Sequence, residues 1–262
     1  MLGRPRSADG RFATTDAVRG AMFRHIRHAS ACLALAALTA CATEREIPFD
    51  HAANSGIKTI GVLQPSMSPT PTILLASDIG QSLGLVGLLV DASMQANRDK
   101  QFGELMSAQG VKPDANFLAD VHAALAAHGY SVTDVPEARP SADLLKTYPK
   151  GGTDGVDAYL DIAIVNYGYV AAGIGDSTPY RPFVGAHCRL VRASDGAVLM
   201  QDVVVYNPVV TTGPQPRAVT ISPDPAYTFK DFDTLTADPA NAMKGMNVAL
   251  GDAATSIGTL VQ

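Results

Sequence analysis

The clearest hydrophobic pattern lies between residues 158 and 206. Apolar side chains alternate along residues 158–165, with Leu160 and Ile162 among those that share one face. Two further alternating segments run from Tyr180 to Ala193 and from Ala197 to Tyr206, and Ser194-Asp195-Gly196 separates them. Period-two alternation is typical of β-strands, and Asp-Gly is typical of hairpin turns. The pattern predicts an antiparallel meander of three strands.

Helical periodicity marks three other segments, at residues 79–97, at residues 114–128 and from Asp238-Pro239 onwards. The last segment carries an apolar stripe spaced by three and four residues: Met243, Met246, Leu250, Ala253, Ile257, Leu260. Such a stripe predicts a helix that packs one face against the core. Glycines repeat along one side of the first segment, which indicates close packing against the same domain, another subunit or the membrane, with the same domain favoured: Gly80, Gly84, Gly87.

Shorter signals complete the predicted fold. Strands are expected at Ile57–Leu63, Ile73–Ala76 and Tyr130–Val135, and a short helix is expected from Ser141 to Tyr148. Proline-rich stretches at residues 64–72 and 207–227 predict loops. Helices that alternate with strands, followed by a meander and a closing helix, predict an α/β (α+β) fold. It is a single domain with a mixed sheet, an antiparallel meander and packed helices.

The N-terminal region has the three parts of a secretory signal. Basic residues at 23–28 precede a short apolar run, Ala31 to Ala40, which ends in small residues before Cys41. The run has about ten residues, about half of what a bilayer-spanning helix needs. The stretch Leu38-Thr39-Ala40-Cys41 resembles the lipobox of bacterial lipoproteins. This resemblance implies that Cys41 is lipidated and becomes the mature N-terminus.

The predicted organisation follows from this signal. Residues 1–40 are a signal peptide, residues 41–55 are a lipidated tether and residues 56–262 are a periplasmic α/β domain. Translation from Met22 would give a compact signal, which makes residues 1–21 an extension. Because Ala42, and not Asp, follows the cysteine, the resemblance implies sorting to the outer membrane, with the domain on the periplasmic face.

Cleavage changes the composition of the chain. The full sequence has 20 basic and 25 acidic side chains, and residues 1–40 hold six Arg and two Asp, so the mature net charge is −9. An acidic chain argues against nucleic acid as a partner and against electrostatic binding to anionic lipid. Membrane attachment is therefore expected through the lipid on Cys41. Cys188 would be the one other cysteine of the mature chain, so no intramolecular disulfide is expected.

Candidate chemistry is sparse. Gly80-Gln81-Ser82-Leu83-Gly84 fits the G-x-S-x-G pattern of a hydrolase nucleophile, but His187, the histidine behind the main strands, falls in mid-strand. A chance match is the favoured interpretation.

His122 and His128 are six residues apart, so they do not share a helix face as metal ligands would. We expect no metal and no cofactor.

Six aromatic residues are the best interface candidates. Three tyrosines flank a segment of small residues at 170–178, and the other three aromatic residues lie at or just after the end of the long proline-rich stretch. Such side chains can form a recognition surface, although the favoured alternative for the tyrosines is that they are half-buried strand residues. The six candidates are Tyr167, Tyr169, Tyr180, Tyr227, Phe229 and Phe232.

The order of elements loosely resembles the periplasmic domains of envelope-assembly lipoproteins such as the curli secretion lipoprotein family. That resemblance is topological and serves as an analogy. The predicted function is a membrane-anchored periplasmic lipoprotein that acts as a non-catalytic binding or envelope-assembly component, with an envelope protein as partner. The alternatives are a lipid-anchored serine hydrolase that uses Ser82 and a structural homo-oligomer built through the glycine side of the 79–97 helix.

Overall fold

The computed structural model describes residues 45–76, 84–137, 139, 142–149, 155–172, 179–208 and 218–262. For residues 76, 84–92 and 172 the description is limited to the backbone. The predicted signal peptide, Cys41 and Ser82 lie outside the described residues, as do both candidate start methionines.

The described chain contains eight strands, four α-helices and one 3-10 helix. Their order is β1 (Thr59–Leu63), β2 (Ser66–Met67), β3 (Thr72–Ala76), α1 (Gly84–Ala108), α2 (Pro113–Ala127), β4 (Ser131–Val135), β5 (Ala158–Ala172), β6 (Tyr180–Arg192), β7 (Val198–Tyr206), β8 (Val219–Ile221), the 3-10 helix (Pro225–Tyr227), α3 (Phe232–Ala237) and α4 (Pro239–Thr259).

The strands form one mixed sheet in the order β4-β1-β5-β6-β7-β8, and β2 and β3 also pair with β5. Strands β5, β6 and β7 are antiparallel, and β1, β2, β3 and β5 run parallel to one another where they pair. The predicted fold class is therefore confirmed: an α/β structure with a mixed sheet, an antiparallel meander and packed helices in a single domain.

Strand β5 is the centre of the sheet because one of its edges takes three partners in succession. β1 pairs near its start, β2 near its middle and β3 along residues 168–172, while β6 occupies the whole opposite edge. A bulge between Ile164 and Asn166 shifts the alternation by one residue. Gly168 has a φ of +139°, and a Cβ at that position would collide with the backbone of Thr72, so β3 can approach only a glycine.

Helices α2 and α4 cover one face of the sheet and contact each other closely. The predicted stripe of α4 is confirmed as core packing, because Met246, Leu250 and Ile257 are all buried. Asp238 caps this helix by accepting a hydrogen bond from the Asn241 N–H, and proline occupies its first turn. In the part of the chain that the structure describes, every helix falls short of the length or the apolar character that crossing a bilayer requires.

The short helix predicted up to Tyr148 is wrong over residues 142–149, which are irregular (Ser141 itself lies outside the described residues). The N–H of Leu145 donates to the carboxylate of Asp161 at 2.6 Å instead of to a carbonyl one turn earlier. A tertiary contact therefore replaces the helical one.

Helix α3 was missed by the prediction, although its capping box between Asp231 and Thr234 is a recognisable start signal.

Candidate functional site

The sheet face opposite α2 and α4 carries three rows of side chains across β5, β6 and β7. Residues paired across strands share a face, so the sheet register defines each row. The first row is Asp161, Arg189 and Gln201; the second is Ala163, His187 and Val203; the third is Asn166, Gly185 and Val205. The first row is polar, while the second and third combine valines and small residues with His187 and Asn166. Residue 139 and residues 142–149 cover the first row, whereas the other two rows border a cavity.

The polar row lies under residue 139 and residues 142–149. Asp161 is fully buried, and its carboxylate accepts hydrogen bonds from the guanidinium of Arg139, from the Leu145 N–H at 2.6 Å and from the Tyr148 hydroxyl at 3.0 Å. Arg139 also donates to the carbonyl oxygens of Gln64 and Asp143. A buried carboxylate is stable only where hydrogen-bond donors such as these satisfy its oxygens. Asp161 therefore fixes an irregular segment over the sheet.

Arg189 completes this cluster from the neighbouring strand. Its Nε donates to the Gln201 side chain at 2.6 Å, and a terminal nitrogen donates to the Tyr148 hydroxyl at 3.2 Å. Burial, reinforced by the negative charge of Asp161, raises the pKa of Tyr148 to about 12. Tyr148 is therefore protonated at neutral pH and can donate to Asp161. We call Arg139, Tyr148, Asp161 and Arg189 the polar clamp.

The second and third rows border a cavity of about 290 Å³. Its apolar lining includes Leu74, Val165, Val203 and Val205, and 43% of the Val165 surface is exposed. Polar side chains also line it: Gln95, Asn166, His187, Asn207. We call this cavity and its lining the open face. Its volume lies at the lower end of the range for small-ligand pockets, roughly 300–1,000 Å³, and an apolar surface on rigid strands is also suited to contact with a protein.

The predicted aromatic interface residues lie mostly inside the molecule. Tyr169 is fully buried between the rings of Phe102 and Phe229, with ring centroids 5.7 and 5.6 Å away. Its hydroxyl donates to the Ala242 carbonyl at 2.8 Å, and the Tyr167 hydroxyl donates to the Ser68 carbonyl at 2.8 Å. Burial raises the pKa of both tyrosines. These contacts link the sheet to α1, α4 and the β2 region.

The other aromatic candidates extend the same buried group. Tyr180, Tyr227 and Phe229 are each less than a tenth exposed, and Phe232 is partly buried. The Arg98 guanidinium lies over the Phe232 ring, 5.6 Å from its centroid, and Phe232 is the least buried of the six. These side chains act as core residues in the described structure, and a partner contact through them stays a prediction.

The histidines singled out in the sequence are far from a shared site. His122 contacts Asp134 at 2.9 Å and so connects α2 to β4, while His128 follows the last residue of α2. His187 lines the open face, whereas Ser82, the nucleophile of the alternative hydrolase hypothesis, lies outside the described residues. Cys188 is buried on the opposite face of β6, as the alternation predicts. Within the described ranges, no three His, Cys, Asp or Glu side chains converge as a metal site.

Sequence reasoning missed the open face and the polar clamp. Asp161 and Arg189 were placed correctly on their strands, but the register that sets them side by side is a tertiary property. A charged residue inside an otherwise apolar strand is the one signal that could have indicated a buried ionic contact. Nothing in the local sequence of Arg139 indicates that its side chain reaches Asp161.

Comparison with known proteins adds one structural likeness. No protein-family model matches the chain, and no curated protein matches it significantly. Among solved structures, the chain is similar to the crystal structure of lipoprotein GNA1162 from Neisseria meningitidis, with 20% sequence identity and a TM-score of 0.31. The match covers 56% of this chain and 81% of that one. A TM-score of this size supports no conclusion about fold or function.

Proposed function

We propose that this protein is a periplasmic lipoprotein, anchored in the outer membrane by lipid on Cys41, that acts as a binding or envelope-assembly component. The sequence Leu38-Thr39-Ala40-Cys41, behind a basic and then an apolar stretch, is the observation that carries the proposal. The described fold begins close to this cysteine, because Ile47, six residues after it, already pairs with the sheet. A fold that begins there is compatible with a lipid anchor on Cys41.

The open face supports a binding role. Val165, Val203 and Val205 present apolar surface around a cavity, and all three stand on strands of the central meander. Rigid strands hold such a surface in one shape, which lowers the entropic cost of binding. A protein partner would bury these side chains. Because the proposed lipid on Cys41 anchors the protein, the complex would lie at the membrane.

The anchor is tested by replacing the cysteine. In cells fed an alkyne fatty acid, C41S is expected to lose the label and to leave the membrane fraction. C32S is the matched control, because it removes the cysteine of the apolar run and should keep both the label and the membrane location. Labelling of C41S equal to that of the unmodified protein would contradict the anchor.

The binding role is tested by adding a charge to the open face. Val165 and Val198 are 43% and 38% exposed, and both stand on strands, but Val198 does not line the cavity. V165K and V198K should therefore both fold. In-cell crosslinking followed by mass spectrometry should recover a discrete envelope partner with V198K and lose it with V165K. Equal recovery by both variants would exclude the open face, and crosslinks between copies alone would favour a homo-oligomer.

A further inference from the structure

The segment that precedes β1 is hydrogen-bonded to the sheet. Ile47 and Gln201 exchange backbone hydrogen bonds of 2.8 and 2.9 Å, so Ile47 pairs with the outer edge of β7. The Gln201 side chain donates to the carbonyl oxygen of Arg45 at 3.0 Å, and Phe49 packs against the main core. We call residues 45–49 the docked segment.

The docked segment leaves little chain between the fold and Cys41. Only Ala42, Thr43 and Glu44 separate that cysteine from Arg45. An extended chain spans at most about 3.6 Å per residue, so roughly 14 Å separates the two ends at full stretch. A free tether over residues 41–55 could extend to roughly 50 Å by the same measure.

From this length we infer that the protein stays close to the surface of its own membrane, with the β7–β8 side of the sheet towards the lipid headgroups. The inference rests on the proposed lipid on Cys41 and specifies what that anchor does. The partner class that fits is a protein that lies in or on the same membrane. The mature charge of −9 would not attract the domain to anionic lipid, so the short tether and not the charge holds it there.

The sheet provides a near position and a far position for a test. Strand β7 lies four strand spacings from β4, roughly 19 Å at about 4.8 Å per spacing. Val198 on β7 and Ser131 on β4 are both exposed. The chain contains no tryptophan, so V198W and S131W each introduce a single fluorescent donor.

The experiment attaches residues 41–262 through the Cys41 thiol to a maleimide lipid in vesicles that contain dansyl-labelled lipid. Cys188 is buried and should not compete for the maleimide. Energy transfer from the tryptophan to dansyl should be at least about twofold higher in V198W than in S131W, because transfer falls steeply with distance and the donor in V198W lies roughly 19 Å nearer the headgroups. Equal transfer from the two variants would overturn the inference.

Two insertions in V198W separate a docked segment from a free one. About twelve Gly and Ser residues between Glu44 and Arg45 should lower the transfer, because they lengthen the tether itself. The same insertion between Ala52 and Ala53, in the turn after the docked segment, should leave it unchanged, because residues 45–49 stay on β7. Equal losses from both insertions would show that the segment is not docked.

This test does not depend on lipidation in the cell, because the lipid is attached chemically. Loss of the proposed anchor would appear as unchanged labelling of C41S, whereas loss of the docked segment would appear in the vesicle measurements. The two failures are therefore distinguishable.

Discussion

Asp161 shows how one buried charge organises a segment without regular structure. Its carboxylate has an arginine, a backbone N–H and a tyrosine hydroxyl as donors, and it is fully buried. A buried ionic contact of this kind is weak evidence of net stability, but removal of one partner leaves the other uncompensated. The positions of Arg139, Leu145 and Tyr148 thus depend on a single side chain of β5.

We expect D161A to lower the free energy of unfolding by about 3–5 kcal/mol, because it leaves the buried Arg139 guanidinium without its carboxylate. Urea denaturation of the two proteins measures this difference. D134A is the control, since the Asp134 side chain is 66% exposed in its contact with His122 and should cost about 1 kcal/mol or less. Equal losses from both variants would contradict the special role of Asp161.

Tyr148 predicts a dependence of stability on alkaline pH. Folding raises its pKa from 10.0 to about 12, so the folded protein keeps a proton that the unfolded chain releases in this range. Stability from this group is complete below pH 10 and decreases as the pH rises towards 12. Y148F should flatten this decrease in the unfolding free energy, measured by urea titration at several pH values. The same slope in both proteins would contradict the assignment.

Among the elements, helix α4 packs closely against its neighbours at two of its glycines. Its glycine at position 245 faces two tyrosines, and an added Cβ would lie 2.5 Å from the Tyr169 hydroxyl oxygen and 2.6 Å from the Tyr227 Cβ. Gly258 makes a similar approach to Ala124 of α2. The apolar stripe predicted the buried face of α4, but it did not show that small residues set the distance to its neighbours.

Replacement of Gly245 by alanine should therefore destabilise the fold by about 1–3 kcal/mol through overpacking, despite the better helix propensity of alanine. G251A is the matched control in the same helix, where the nearest atom to an added Cβ is the Asp120 carboxylate oxygen at 3.3 Å. That change should be neutral or stabilising by up to about 1 kcal/mol. Thermal unfolding followed by circular dichroism compares them, and a stabilised G245A would refute the packing argument.

Strand β5 shows the limit of predicting a strand from local alternation alone. Its first half alternates clearly, and the sequence predicted that half correctly. The bulge near Val165 then returns Tyr167 and Tyr169 to the helical face, although strict alternation from Ile164 would point them away. A bulge is decided by the partner strand, so no local pattern marks it.

At the scale of the molecule, one main core joins all parts of the described fold. It contains Ile60 of β1, Phe117 of α2, Leu190 of β6 and Ile257 of α4. A smaller cluster under residues 142–149 lies on the other face. Because the main core spans the sheet from β1 to β7 and includes residues of α1, α2 and α4, the structure does not divide into separately packed halves.

This continuity predicts a single cooperative unfolding transition. Far-ultraviolet circular dichroism reports the helices and strands, and the near-ultraviolet signal reports the tyrosines, since the chain has no tryptophan. The two signals should have the same urea midpoint. Separate midpoints would show that the α2–β4 side and the meander unfold independently.

The sequence by itself determined the class of fold, the meander, the buried faces of α2 and α4, and the signal that motivates the proposed anchor, because each depends on local periodicity or local chemistry. The tertiary structure decided the parallel pairing of β1, β2 and β3 along β5, the contact between Arg139 and Asp161, the open face and the docked segment. These features join residues that are distant in the chain, such as Ile47 and Gln201. Their pairing depends on how whole strands align and on the distance between them. No single segment of the sequence specifies either.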